Sequence, residues 1–441
     1  MAALRLANGR TASGRTVFLA LSFPFMLGIF AKITFSFLLA VPSCSSSAPA
    51  VSAAGGGKPL AQAASGAPVA PRTTGPIIVG AERMDQYLPQ LLNKRVGLVV
   101  NQTSRVGNAF LVDTLRARGV NVTAIFAPEH GFRGEEADGA TIKDGRDARS
   151  GVAVRSVYGK TKKPTPEMLA DVDVLVFDIQ DVGARFYTFI STLHYVMEAA
   201  AELNKQVVVL DRPNPNGDLV DGPVLEPAHK SFVGLDPLPI AHGLTVGELA
   251  TMLNGEKWLA GGRRCPLTVV PVAAGYTHAT KYHLPVRPSP NLPTDQSVAL
   301  YPSICLFEGT NVSVGRGTAT PFEVIGSPKQ PASRPFAFVP RPNAGSPTPP
   351  LNGQRCYGLS LADAPTREAS GLVLKYLLDF YQQSTDKANF FGKYFEQLSG
   401  TRTLREQIIA GKSEAEIRAS WQPDLDKFKT IRSKYLLYPE R

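Results

Sequence analysis

Residues 172–187 read VDVLVFDIQDVGARFY. The first six, Val172-Asp173-Val174-Leu175-Val176-Phe177, form a short, nearly continuous apolar run rich in β-branched residues. That is the composition of a parallel strand covered on both faces. From Asp178 to Tyr187 the chain turns polar, as a loop leaving a strand's carboxyl end does. Other β-type runs, several of them continuously apolar, lie upstream at 96–100, 122–126 and 152–157, and downstream at 207–210. Helical patterns lie between them at 110–118, 166–170 and 187–203; in the last, Phe189, Leu193, Val196, Met197 and Ala200 recur at helical spacing. Thr245-Val246-Gly247-Glu248 has capping-box spacing and predicts a helix through 253, followed by a strand at 267–272. This alternation predicts an α/β fold built on a doubly wound sheet.

Beyond about residue 325 the texture changes. SPKQPASRPFAFVPRPNAGSPTPP is proline-rich, 357–361 is strand-like, and helical patterns follow. Leu374, Leu377, Leu378 and Tyr381 share one face of 370–382, and Ser413-Glu414-Ala415-Glu416 caps another helix. A larger domain at 75–310 and a smaller α/β domain at 311–441 are expected. The 441 residues are 44% hydrophobic and 19% charged, which excludes wholesale disorder and coiled coil. The formal net charge of +10 favours anionic ligands without requiring nucleic acid.

The front end reads as an address. Residues 17–41 are almost wholly apolar, interrupted by Lys32 and preceded by Arg5, Arg10 and Arg15, the design of an export signal over 1–44. Val41-Pro42-Ser43-Cys44 approximates a lipoprotein box, with Pro42 a poor fit. Lipidation of Cys44 with a membrane tether, a soluble product cut nearby, and a retained anchor helix are the three outcomes left open. Each places the protein outside the cytoplasm, in the periplasm or cell envelope. Residues 45–74 are small and polar with little to bury, as in a flexible linker. The remaining cysteines, Cys265, Cys305 and Cys356, show neither disulfide-framework nor zinc-site spacing.

In open parallel sheets, ligands gather beyond the carboxyl ends of the strands. Here those ends carry Asn101-Gln102-Thr103-Ser104, Pro128-Glu129-His130-Gly131-Phe132-Arg133, Asp178-Ile179-Gln180-Asp181 and Asp211-Arg212-Pro213-Asn214. Glu129 is the first candidate for a general acid, against a salt bridge with Arg133 as the bland role. His130 could orient Glu129, bind substrate or close the turn. Asn101, Arg133, Asp178, Gln180, Arg185 and Arg212 are candidates for holding substrate, the arginines as planar donors to a carboxylate; Asp178 could equally pin its loop. Further on, Asn291 and the run Tyr301 to Thr318 carry the small, amide and aromatic residues of a sugar cleft. Glu308 there is either a second carboxylate, which glycoside cleavage usually wants, or a structural acid in a turn. No HExxH, P-loop, dinucleotide fingerprint or serine-nucleophile elbow occurs, so no metal or organic cofactor is expected.

The segments PEHGFRGEEADGA, DIQDVGARFYTF, LDRPNPNGDLVDGP, HGLTVGELA, SPNLPT, YPSICLFEGTNVSVGRGTATPFEVIG and SWQPDLDKFKTIRSKYLLYP, in that order, resemble the NamZ-type exo-β-N-acetylmuramidases of glycoside hydrolase family 171. The resemblance spans about 77–439. It implies a Rossmann-like domain joined to a smaller C-terminal α/β domain across an active cleft. It also implies release of N-acetylmuramic acid from the non-reducing end of peptidoglycan-derived glycans such as MurNAc-GlcNAc. Matched position by position, it makes Glu129 the catalytic acid with His130 beside it, and places Arg185, Tyr187, Arg212, Asn214, Asn311, Arg316 and Thr318 around the sugar. The chain departs from the family at 327–352, where a more helical stretch is usual. Two rival readings are a non-catalytic peptidoglycan-binding lipoprotein and a phosphoester hydrolase using Asp178 and Asp181 with a divalent ion.

Overall fold

A computed structural model describes residues 76–133, 143–273, 275–368 and 371–441. The expected export signal with Cys44, and the expected linker at 45–74, lie outside the described residues.

The apolar runs form the central sheet. Its strands are β1 (Arg95–Val100), β2 (Asn121–Ala127), β3 (Gly145–Arg146), β4 (Ala153–Ser156), β5 (Val174–Asp178), β6 (Gln206–Leu210) and β7 (Leu267–Val270). They lie in the order β7-β6-β5-β1-β2-β4-β3, every neighbouring pair parallel except β3 with β4. Alternating side chains feed two cores. Val96, Leu98 and Val100 join α1 (Met84–Leu91) and α2 (Leu111–Ala117) on one face. Val99, Phe126, Phe177 and Val209 join α3 (Phe189–Glu202) and α4 (Val246–Gly255) on the other. The chain leaves β1 towards β2 and leaves β5 towards β6, so the crossovers diverge between two adjacent strands, the switch point of a doubly wound sheet. The capping box holds: Glu248 N donates to Thr245 Oγ1 at 3.2 Å, and Thr245 N to Glu248 Oε2 at 2.9 Å.

After α5 (Asp295–Ile304), a tight helical turn at Cys305–Gly309 leads into the smaller C-terminal part. Its antiparallel sheet comprises β8 (Val324–Ser327), β9 (Phe336–Phe338) and β10 (Cys356–Ser360), in the order β8-β10-β9. Helices α6 (Lys375–Gln383), α7 (Phe395–Ser399), α8 (Thr403–Ile409) and α9 (Glu414–Arg432) complete it. The proline-rich stretch thus contains β9 and otherwise runs as turns, one of which joins Arg341 N to Gly317 O at 2.9 Å. One apolar core crosses the boundary expected at 310/311: Leu300, Ile304 and Phe307 belong to the same cluster as Phe380, Phe390 and Phe395. The C-terminal tail returns to the large sheet, where Tyr438 Oη donates to Asp211 at 2.6 Å and Leu437 N to Glu248 at 2.8 Å. Several local expectations shift. The helix expected at 166–170 is a single tight turn, Glu167–Leu169, and that expected from 370 starts at Lys375. Helices α1 and α5, each with an internal proline, carried no readable pattern.

Candidate active site

Leaving β2, the chain turns at once: Gly131 N donates to Pro128 O at 3.0 Å, with His130 at φ 65° and Gly131 at φ 74°. Glycine adopts this left-handed backbone freely, whereas histidine is held there at a cost of order 1–3 kcal/mol, a form of strain that clusters at functional sites. The turn delivers Glu129 into a cavity of about 370 Å³, within the ~300–1,000 Å³ usual for small-ligand sites. Two hydroxyls hold its carboxyl group. Tyr158 Oη, from just beyond β4, donates to Oε1 at 2.6 Å, and Thr188 Oγ1, at the start of α3, donates to Oε2 at 2.5 Å.

A second wall comes from the turn after α5 and the loop beyond it. Arg316 forks onto Glu308, its Nε donating to Oε1 and its Nη2 to Oε2 at 3.2 Å, while Cys305 Sγ lies 3.5 Å from Oε2. Burial first, then the neighbouring Glu308 charge, pushes the Cys305 thiol well above its ordinary range, so it stays protonated and can donate. Phe186, Tyr187, Tyr301 and Phe322 form an aromatic floor of edge-on contacts with ring centroids 5.0–5.7 Å apart. Phe322 also stands at positive φ, 63°. Tyr187 Oη donates to Pro288 O at 2.8 Å and so ties the floor to the Ser289–Leu292 wall. Tyr394, Gln397 and Leu398, in and beside α7, bring the smaller part of the protein to the same cavity.

Models of a family described as exo-beta-N-acetylmuramidase NamZ match the chain in both halves, the N-terminal model over residues 96–296 and the C-terminal model over 299–438. The chain belongs to the NamZ family. It is 41% identical over 376 residues to the peptidoglycan beta-N-acetylmuramidase NamZ of Bacillus subtilis strain 168, a match covering 80% of this chain and 89% of that one. Two crystal structures of DUF1343 family proteins from Bacteroides fragilis are also similar. One has a TM-score of 0.77 at 45% identity, the other 0.72 at 32%; each match covers 83% of this chain and 100% of the other.

Of the candidate residues, the cavity brings together Glu129, His130, Tyr187, Asn291, Glu308 and Arg316. The NamZ-type resemblance placed two further arginines around the sugar, and the structure corrects both. Arg185 is fully buried and spends its guanidinium on the carbonyls of Pro223, Leu238 and Leu398, at 2.8, 2.6 and 2.8 Å. Burial pulls its pKa down to about 9. Arg212 forks onto Asp178 at 2.6 and 3.0 Å, both buried and neither lining the cavity, so each is committed to the other. Asn214 donates to Leu244 O and accepts from Asn216 N, and Gln180 donates to the carbonyls of Asp181 and Pro213. Asn101 accepts from Thr103, whose hydroxyl accepts from Gln180 N. The two loops at the switch point are thus closed on each other, and the cavity opens beside them. Arg133 pairs with Asp147 at 2.6 Å and packs on Phe110 and Phe132, so it does not bridge to Glu129 as the bland role supposed. Thr318 Oγ1 donates to Gly315 O, and the Asn311 side-chain amide is enclosed away from the cavity lining.

Sequence reasoning missed Tyr158, Lys162, Thr188, Phe232, Tyr394 and Gln397. Thr188 lies within the quoted DIQDVGARFYTF segment, a readable signal; the others sit in segments without motif character. Cys265, Cys305 and Cys356 are all buried and unbridged. Among the described residues no cluster of three or more His, Cys, Asp or Glu side chains is arranged to hold a metal ion.

Proposed function

We propose that this chain is an exo-acting β-N-acetylmuramidase of the cell envelope, releasing N-acetylmuramic acid from the non-reducing end of peptidoglycan fragments, with Glu129 as general acid. The coarse activity follows from NamZ membership and from the B. subtilis relative, a peptidoglycan beta-N-acetylmuramidase. The observation that carries the finer reading is Glu129 itself, a carboxyl aimed into the cavity between two hydroxyls. Tyr and Thr hydroxyls accept as readily as they donate, so the same two groups can hold the protonated acid and the carboxylate left after it protonates the glycosidic oxygen. Glu308, fixed by the Arg316 fork on another wall, is the carboxylate available to the positive charge that develops at the anomeric carbon. A cavity of about 370 Å³ suits one sugar unit at a chain end better than the middle of a long glycan. In this reading the first 44 residues deliver the enzyme out of the cytoplasm.

Incubation of the protein and its Glu129→Gln variant with MurNAc-GlcNAc, following free N-acetylmuramic acid, tests the proposal. Turnover that drops by roughly a hundredfold or more in the variant supports it. Equal rates would move the acid elsewhere, with Glu308 next. Glycan binding without turnover would favour a binding protein. A longer glycan labelled at its reducing end tests the mode: exo action releases single muramic acid residues before any internal fragment.

A further inference from the structure

The arginines expected to meet the substrate's carboxylate are committed elsewhere: Arg133 to Asp147, Arg185 to three carbonyls, Arg212 to Asp178. Among the described residues two lysine or arginine side chains line the cavity, and Arg316 gives its fork to Glu308. The other is Lys162. Its neighbour Lys163 turns away and bridges Glu198 and Glu202 at 2.7 Å each. Among the described residues Lys162 makes no ion pair; its ammonium stands 4.5 Å from the centroid of the Phe232 ring. Phe232, on the Ser231–Gly234 turn, stacks on Tyr195 at 6.2 Å and leans on Tyr158 at 5.8 Å, the same Tyr158 that holds Glu129.

N-acetylmuramic acid differs from N-acetylglucosamine by one 3-O-lactyl ether, which ends in a carboxylate. A carboxylate entering a partly closed cavity loses hydration and must find a cation there. A ring face attracts an ammonium only modestly, so Lys162 is held near the cavity without being consumed. Resting on the muramidase reading above, we propose that Lys162, seated on Phe232, binds the lactyl carboxylate and so selects muramic acid over uncharged amino sugars. The flexible lysine stem lets the ammonium move from ring to carboxylate while Phe232 keeps it at the cavity wall.

The test compares the full-length protein with Lys162→Met and Lys162→Arg on two aryl β-glycosides, N-acetylmuramic acid and its lactyl methyl ester. The parent should prefer the acid by about 10- to 100-fold in kcat/KM, the scale of a hydrogen bond to a charged group. Lys162→Met should collapse that ratio towards one, mainly through KM on the acid, and Lys162→Arg should restore most of it. Phe232→Leu, which removes the platform but keeps the cation, should lower the ratio part-way. A parent that cleaves acid and ester equally, or a Lys162→Met enzyme that keeps the parent's ratio, overturns the assignment while leaving the muramidase reading intact. A parent that cleaves neither overturns both.

Discussion

Arg185 Nη2 donates to Leu398 O at 2.8 Å, across 213 residues of sequence. The bond joins the loop carrying Tyr187 and Thr188 to the helix that presents Gln397 and Leu398, so one buried guanidinium sets the spacing of two cavity walls. Gly400 shows how closely this is fitted. Its φ is 78°, and a Cβ there would meet Arg185 Nη2 at 2.4 Å. Arg185→Met leaves three carbonyls without their donor and should destabilise the fold by about 3 kcal/mol or more, read from urea midpoints. Gly400→Ala should shift the midpoint in the same direction.

Thr188 lines the cavity and its hydroxyl donates to the Glu129 carboxyl, while its carbonyl accepts from Thr192 one turn along α3. Thr188→Val keeps the volume and removes the donor, so kcat should fall roughly tenfold or more while KM stays within about twofold. Thr188→Ser should recover most of the rate. A loss confined to KM would instead place the hydroxyl on the substrate.

The large sheet was legible because its central strands are apolar runs, a pattern that buried parallel strands impose and loops do not, whereas the exposed Gly145–Arg146 edge strand carried no such signal. Helix α4 was legible through Thr245 and Glu248, three apart. Glu129 stood out because it follows a strand end beside glycines, and Glu308 because its run is dense in small, amide and aromatic residues. Arg185 and Arg212 misled for a physical reason: an arginine in a strand-end loop reads the same whether it meets a ligand, a carboxylate or a carbonyl. The outcome depends on Leu398 and Asp178, which packing alone brings near. Tyr158 and Lys162 had no signal at all, since a single hydroxyl or ammonium in a loop has no periodicity.

Asp211 is fully buried and accepts from Tyr438, Thr245 and the Gly247 amide at 2.6–2.8 Å. Burial, opposed by those donors and reinforced by the Glu248 charge, pushes its pKa up to about 6. A raised carboxyl favours folding most below its unfolded value near 4, and that contribution fades as pH climbs through 6. Asp211→Asn cannot titrate. The stability of the parent minus that of the variant should therefore fall by roughly 2 kcal/mol between pH 4 and pH 6.5, measured by urea unfolding at each pH. A flat difference would mean that the donors fully offset burial.

His130 has a ring at the cavity and a backbone at φ 65°, and the two can be separated by substitution. Asparagine is among the side chains best suited to positive φ, whereas alanine pays about 1 kcal/mol or more there. His130→Asn should therefore be more stable than His130→Ala by about that amount, since both lose the imidazole but only one relieves the turn. Activity should not follow this order. If the ring serves Glu129 or the substrate, both variants lose at least tenfold in kcat/KM to a similar extent. If His130 only closes the turn, Asn retains the parent's rate and Ala loses activity in step with stability. Thermal melts and kcat/KM on the same three proteins decide between a catalytic-site histidine and a turn residue, the alternatives that the PEHG sequence leaves open.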